Sequence, residues 1–558
     1  MGIKRSAVFG LITTASVLIL AACSTTGGST SDSDGGSQSN ASSSEQVFTY
    51  VERQEMPSAD PSLATDEVSL TALNNVYEGI YRLDKDNQPQ PAGAAEAAEV
   101  SEDGLTYKIK LREDAVWSDG EPVTAADYVY GWQRTVDPDT ASEYAYMFSP
   151  VKNAEKINAG ELDKSELGIK AVSDYELEVT LEKVTPYFDY LLAFPSFLPQ
   201  RQDIAEKFGK DYTTKSENSV YNGPFTLTDF DGPGTDTNWS FTKNDTYWDK
   251  DSVQLQQIIV DVVKEAPTSL NLYQDGQADD VPLTGELAMQ MKDDPDYLVL
   301  EGASTFYLEM NQMDADSPYK NANLRKALSY AIDREALVTQ ILANGSTTAE
   351  GLVPKGLTQN PENNEDFSKE AGQGVSYDEK KAKEYWEKAK KELGIDSLDF
   401  ELLVDDTDGS KKMAEFLQGS LGDILEGVNV KVSPVPFSVR LDRMGKGDFE
   451  VAVSGWGADY ADPSSFLDLF VTGNSYNRGK YSNPDFDALI EKASGKDANE
   501  PQVRWQDYLD AEKLIMSDMG VIPVYQKAEA HLRAPKVKDI FYHSTGAKYD
   551  FKWAYIEE

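Results

Sequence analysis

Asp448-Phe449-Glu450-Val451-Ala452-Val453-Ser454 runs directly into Gly455-Trp456-Gly457-Ala458-Asp459. The first seven residues are rich in valine and aromatic side chains and read as a strand. Upstream, Phe400-Glu401-Leu402-Leu403-Val404 reads as a second strand, with a helix expected after Ser410. Further out the apolar period changes. Leu324, Ala327, Leu328, Ala331, Ile332, Val338, Ile341 and Leu342 fall on one stripe at helical spacing, and Gly345 follows its end. Ser376 and Glu379 have capping-box spacing and open a helix with Ala382, Tyr385, Trp386, Ala389 and Leu393 on its apolar face. Gly394 suits the C-terminal stop. Helices alternating with strands in this way define an α/β fold built on open sheets.

The first half of the chain is richer in strands. Gln46 to Tyr50, Leu105 to Leu111 and Glu176 to Leu181 alternate with one apolar and one polar face. Asp-Gly and Gly-Glu turn signals punctuate residues 90–215, which read as a meander with helices. At 558 residues the chain is too long for one core of ~100–200 residues. Its 40% hydrophobic and 10% aromatic content is globular, so two or three folded units are expected.

A formal charge of −44 repels nucleic acid and anionic head groups, so no nucleic-acid partner is expected. Enzyme chemistry is poorly provisioned. The chain holds two histidines, His531 and His543, and no H-E-x-x-H, G-x-S-x-G or Walker-type loop. Asp406, Asp408, Gly409 and Glu415 occupy positions 3, 5, 6 and 12 of an EF-hand loop, but position 1 is Val404. That segment reads as an acidic turn between strand and helix. The expectation is a protein that is not an enzyme, with no metal and no cofactor.

At the N-terminus, Lys4 and Arg5 precede an apolar stretch from Ala7 to Ala22, shorter than the ~20 consecutive apolar residues of a spanning helix. It ends in Leu20-Ala21-Ala22-Cys23, which resembles a bacterial lipobox. That resemblance implies a signal peptide over 1–22 and lipidation of Cys23, the chain's only cysteine. Residues 23–45 are mostly Ser, Gly, Thr, Asp and Asn and read as a disordered tether spanning roughly 25 Å. The expected location is the extracellular face of the cell membrane, held by the lipid at Cys23.

Five further stretches carry a wider resemblance: VYEGIYRLD at 76–84, WSDGEPVTAADYVYGWQR at 117–134, APTSLNLYQDGQAD at 266–279, NANLRKALSYAIDREALV at 321–338 and GWGADYADPSSF at 455–466. Together they resemble the oligopeptide-binding proteins of bacterial ABC importers, solute-binding protein family 5. Trp117, Asp119, Gly120, Pro122, Thr124 and Asp127 match that superfamily's signature pattern. The resemblance implies a type II periplasmic-binding-protein fold, two lobes with a hinge plus an inserted third domain. Lobe one would comprise 46–88, 216–308 and 529–558, the inserted domain 89–215, and lobe two 309–528. The hinge would lie at the crossings near Leu308 and Gln526-Lys527.

It also implies a receptor that captures oligopeptides and delivers them to ABC permease subunits, as a monomer. The alternatives are a peptide-pheromone receptor or another solute on the same scaffold. The site would follow the strand 448–454, at the carboxyl end where open sheets bind ligands. Gly455 and Gly457 would leave backbone groups uncovered for an extended peptide to pair with. Asp459 matches the family position holding the peptide's α-ammonium group, and Trp456 would line the cleft. Glu67 and Val68, just before the first helix, align with a stretch offering backbone to ligand. From the residues alone, Trp456 also reads as a core aromatic, Asp459 as a turn cap and the two glycines as turn residues. Trp117 and its neighbours read as structural. Val453 stands where enteric members carry an arginine that holds the peptide carboxylate, which implies weak selection at the peptide C-terminus.

Overall fold

The computed structural model describes residues 46–557. Residues 1–45, with the expected signal peptide, Cys23 and tether, lie outside the described residues. Within 46–557 no helix is long and apolar enough to cross a membrane.

The largest sheet has eleven strands. From one end its order is Val428–Val435, Leu398–Asp405, Val451–Gly457, Tyr297–Met310, Ile522–Arg533, Asp280–Leu283, Val47–Glu52, Gln257–Val262, Asn238–Lys243 and Phe225–Thr228. A two-residue strand, Thr347–Thr348, pairs alongside Ile522–Arg533. Two long neighbours, of 14 and 12 residues, run through the middle of this order. Their antiparallel ladder breaks register between Glu301 and Thr305, opposite Ala528 and Gln526. The sheet is therefore continuous in hydrogen bonding yet irregular where its two halves join.

A separate antiparallel sheet of four strands is formed by Glu99–Val100, Thr106–Lys110, Glu176–Thr180 and Ile169–Ser173. Helix Ala125–Val136 packs on it, and Ile109, Leu177, Val179, Trp132 and Phe148 are fully buried there. The signature stretch is structural in this region. Asp127 accepts from the Thr124 N–H at 2.8 Å and from Trp117 Nε1 at 3.4 Å, so one carboxylate closes the capping box and anchors a fully buried indole. Gly120 has φ +92 in the intervening turn, which favours glycine.

Two helix expectations are corrected. The stripe from Leu324 to Leu342 is not one helix: Ala322–Tyr330 stops, and Asp333 caps a new start by accepting from the Ala336 N–H at 3.0 Å. A side-chain cap at Asp333 satisfies the orphan donors of that new turn, and the apolar stripe continues through the break because both pieces pack on one core. The helix assigned to a Ser376 cap begins later, as Glu379–Leu393, with Asp378 accepting from Lys381 N–H at 3.0 Å. The nearer carboxylate outcompetes the serine. Gly394 does close this helix, with φ +69.

Candidate ligand-binding cleft

The strand that opened the sequence reading extends further than expected. It spans Val451–Gly457, so Gly455 and Gly457 lie within it and not after it. Each is a glycine because a neighbouring strand residue comes close. A Cβ on Gly455 would sit 2.8 Å from the Phe306 ring, and one on Gly457 would sit 3.0 Å from Ser304 Oγ. Close approach explains both, and the turn reading is set aside.

On one side the strand pairs with Tyr297–Met310 along its whole length. On the other it pairs with Leu398–Asp405 only at Val451 and Ala452. From Val453 to Gly457 that second edge has no strand neighbour among the described residues. The open edge borders a cavity of about 1100 Å³, which Ser454, Gly455, Trp456, Gly457 and Asp459 help to line. A second cavity of about 1010 Å³ shares Gln54, Glu67, Phe306, Asp405 and Lys527 with the first. The two form one joined cleft.

Asp459 is buried at the end of the open edge. Tyr144 Oη donates to its Oδ1 at 3.0 Å, and its own N–H donates to Ser465 Oγ at 2.8 Å. Among the described residues its buried Oδ2 has no hydrogen-bond partner. Burial pushes this carboxyl well above its ordinary value, and the Tyr144 bond offsets only part of that. Asp459 does not cap the turn that follows. Asp462 takes that work, accepting from Ser464 N–H at 3.0 Å.

Trp456 is both core and wall. It is 7% exposed, lines the cleft, and packs edge-on against Tyr476 at 4.6 Å between ring centroids. Tyr144 lies 5.4 Å from Tyr476 and 6.2 Å from Trp456, so three aromatic rings surround the carboxylate. Such a wall excludes water and strengthens any charge pair formed inside it. Tyr144 was not picked out in the sequence. With 29 tyrosines in the chain, nothing local marks the one that reaches Asp459, 315 positions away.

Glu67 and Val68 line the cleft, but they form the first turn of helix Glu67–Val76 and do not precede it. Asp66 is the N-cap, accepting from Ser69 N–H at 2.9 Å. The Glu67 side chain is ion-paired with Lys527 at 2.6 Å, and its Oε1 lies 3.9 Å from where a Cβ on Gly457 would be. Lys527 also reaches Glu529, which pairs with Lys548 in turn. Beside this row, burial pushes Glu52 up to about 7. Across the cleft, Arg440 pairs with Asp405 at 2.6 Å, Gln54 Nε2 donates to Asp405 at 3.0 Å, and Arg478 pairs with Glu143 at 2.8 Å.

The two histidines also reach the cleft. His531 Nδ1 is 2.5 Å from Asp280 Oδ1, and His543 Nδ1 is 2.7 Å from Asn87 Oδ1. The EF-hand-like segment spends its charge elsewhere: Asp406 pairs with Lys264 at 2.9 Å. Val453 is buried and brings no charge to the site.

A sheet whose halves are joined by two long strands, with a lined cleft beside the junction, defines the type II class of solute-binding proteins. The chain belongs to the bacterial extracellular solute-binding proteins, family 5, whose model matches residues 88–478. The dipeptide-binding protein of Lactococcus lactis subsp. cremoris is 40% identical over 514 residues, 90% of this chain and 93% of that one. Among solved structures, Listeria monocytogenes OppA bound to peptide is 44% identical, with a TM-score of 0.89, covering 92% of this chain and 100% of that one. The pheromone receptor PrgZ, solved for its mode of peptide binding, is 46% identical with the same TM-score and coverage.

Proposed function

We propose that the protein captures oligopeptides outside the cell and delivers them to an ABC importer. The observation that carries this is Asp459: a buried carboxylate with one oxygen unpartnered, at the end of an open strand edge inside a cleft. An extended peptide pairs its backbone along Val453–Gly457 as an added strand and places its α-ammonium group at Asp459 Oδ2. Main-chain pairing provides affinity without reading side chains. The protein acts by closing and opening, with no chemistry on its cargo. The hinge between lobes divided as the sequence reading drew them lies at the crossings near Leu308 and Gln526-Lys527, and the irregular ladder between Glu301 and Thr305, close to both, supports it. A monomer tethered by a lipid at Cys23 to the outer face of the cell membrane completes the reading, and mass analysis of the N-terminal peptide for a diacylglyceryl adduct tests it.

Titration calorimetry of the full-length chain, purified in detergent and stripped of co-purified peptide by unfolding and refolding, tests capture. One peptide is offered with a free and with an acetylated N-terminus. Tight binding of the first alone supports the amine anchor. Equal binding removes the anchor and keeps the receptor, and binding of neither removes the peptide reading. A signalling role is a second reading, favoured by the 46% identity to the pheromone receptor PrgZ.

A further inference from the structure

Five lysine and arginine residues line the joined cleft: Arg53, Arg440, Arg478, Lys527 and Lys548. Four are already committed. Arg440 holds Asp405, Arg478 holds Glu143, Lys527 holds Glu67, and Lys548 holds Glu529. Arg53 is different. Among the described residues its guanidinium makes no hydrogen bond and no ion pair. It follows the end of strand Val47–Glu52 and borders the second cavity, away from the one that Asp459 lines.

Gly409 and Thr284 border it. Arg53 Nη1 lies 3.7 Å from where a Cβ on Gly409 would be, and Thr284 Oγ1 is equally near that point. The acids that act on it electrostatically are Glu529, Glu52 and Asp408, none of them within ion-pair reach. Glu529 is taken by Lys548 and Lys527. Burial lowers the Arg53 guanidinium from its ordinary value, against the opposing pull of those acids. A guanidinium presents a planar fork of N–H donors matched to a carboxylate.

We infer that Arg53 is the specificity-determining anchor for a carboxylate of the bound peptide, at the opposite end of the cleft from Asp459. The inference rests on the peptide reading. Asp459 Oδ2 in one compartment and the Arg53 guanidinium in the other are then an unpartnered carboxylate oxygen and an unpartnered cation in joined cavities, a pairing that suits a zwitterion; Asp66 Oδ2 is also unpartnered, but Asp66 is the N-cap of helix Glu67–Val76. The carboxylate comes from the peptide's C-terminus or from an Asp or Glu side chain along it, and the chemistry at Arg53 is the same.

Calorimetry separates these sources with two peptide pairs: one sequence as free acid and as C-terminal amide, and one with an internal Glu or Gln and a constant C-terminus. Each is titrated into the full-length chain as wild type, Arg53→Gln and Arg53→Lys. Wild type should bind the carboxylate member of one pair about 10- to 100-fold more tightly than its neutral twin. Arg53→Gln should abolish that preference by weakening only the charged member, and Arg53→Lys should restore part of it. A preference in the first pair assigns the C-terminus, and one in the second assigns a side chain. No preference in wild type, or an Arg53→Gln variant that weakens charged and neutral twins alike, overturns the anchor while peptide binding stands. Failure of wild type to bind any peptide overturns the function on which the anchor rests, and the anchor with it.

Discussion

Replacing Asp459 by asparagine should move the empty and the loaded protein in opposite directions. In the empty protein the buried carboxylate has one donor, Tyr144 at 3.0 Å, and one bare oxygen. Because burial raises its folded pKa above the unfolded value, its contribution to stability is fully present below the unfolded carboxylate pKa and is lost as pH rises through the folded one. Asparagine keeps an oxygen for Tyr144 and removes the charge, so empty Asp459→Asn should melt above the empty wild type at neutral and alkaline pH. A peptide ammonium supplies the missing partner. A hydrogen bond of that charged kind contributes about 1.5–3 kcal/mol, so Asp459→Asn should weaken binding about 10- to 150-fold. The same logic fixes the proton balance. Binding a cation lowers the raised pKa, so binding should release protons and tighten as pH rises toward the empty-state value. Calorimetry in buffers of different ionisation enthalpy reads that release directly. Binding by Asp459→Asn within twofold of wild type, or an absence of proton release in acid buffers, would refute the reasoning.

Other substitutions probe the same architecture. Tyr144→Phe removes the only hydrogen bond that the Asp459 carboxylate makes among the described residues and should push its pKa higher still, shifting the pH profile of peptide affinity to higher pH in titrations. Gly455→Ala drives a methyl into the Phe306 ring at 2.8 Å and should cost about 1–3 kcal/mol of stability, whereas Gly457→Ala meets only the Ser304 hydroxyl at 3.0 Å and should cost less; denaturant unfolding of the pair compares them. Asp280 reports acid stability. Burial pushes it up, but Arg533 and then His531 outweigh burial and hold it at about 2. Its stabilisation of about 2 kcal/mol is present above the unfolded carboxylate pKa and fades as pH falls toward 2, so Asp280→Asn should be less stable at neutral pH and show a flatter acid limb in pH-dependent melting.

Much of this molecule was legible because its elements follow simple periods. The strands at 398–405 and 451–457 and the stop at Gly394 are local matters of side-chain alternation and backbone freedom. The sequence also marked Asp459, Trp456 and the two glycines. It misjudged why the glycines are there, since the requirement comes from Phe306 and Ser304, about 150 positions earlier and on the neighbouring strand. One helix start differs because the Asp378 carboxylate lies closer to it than Ser376, and another because Asp333 caps a break within an apolar stripe that itself runs on. The partners that define the site's electrostatics are out of reach of any local pattern. Tyr144 meets Asp459, Lys527 meets Glu67 and Arg440 meets Asp405 only once the chain has folded. Arg53 escaped notice for the opposite reason. Its distinction is that, among the described residues, its guanidinium makes no hydrogen bond and no ion pair.

The uncovered strand edge from Val453 to Gly457 has a further consequence. A row of unpaired backbone groups is the template on which misfolded chains nucleate, and proteins ordinarily blunt it with charge, proline or an overlying helix. Here the walls of the cleft stand guard. Tyr144, Tyr476 and Arg440 line the same cavity, so the edge faces the interior of a cleft. A hazard on any open surface is here set inside a cleft, which two folded sheets would have to enter before they could pair edge to edge.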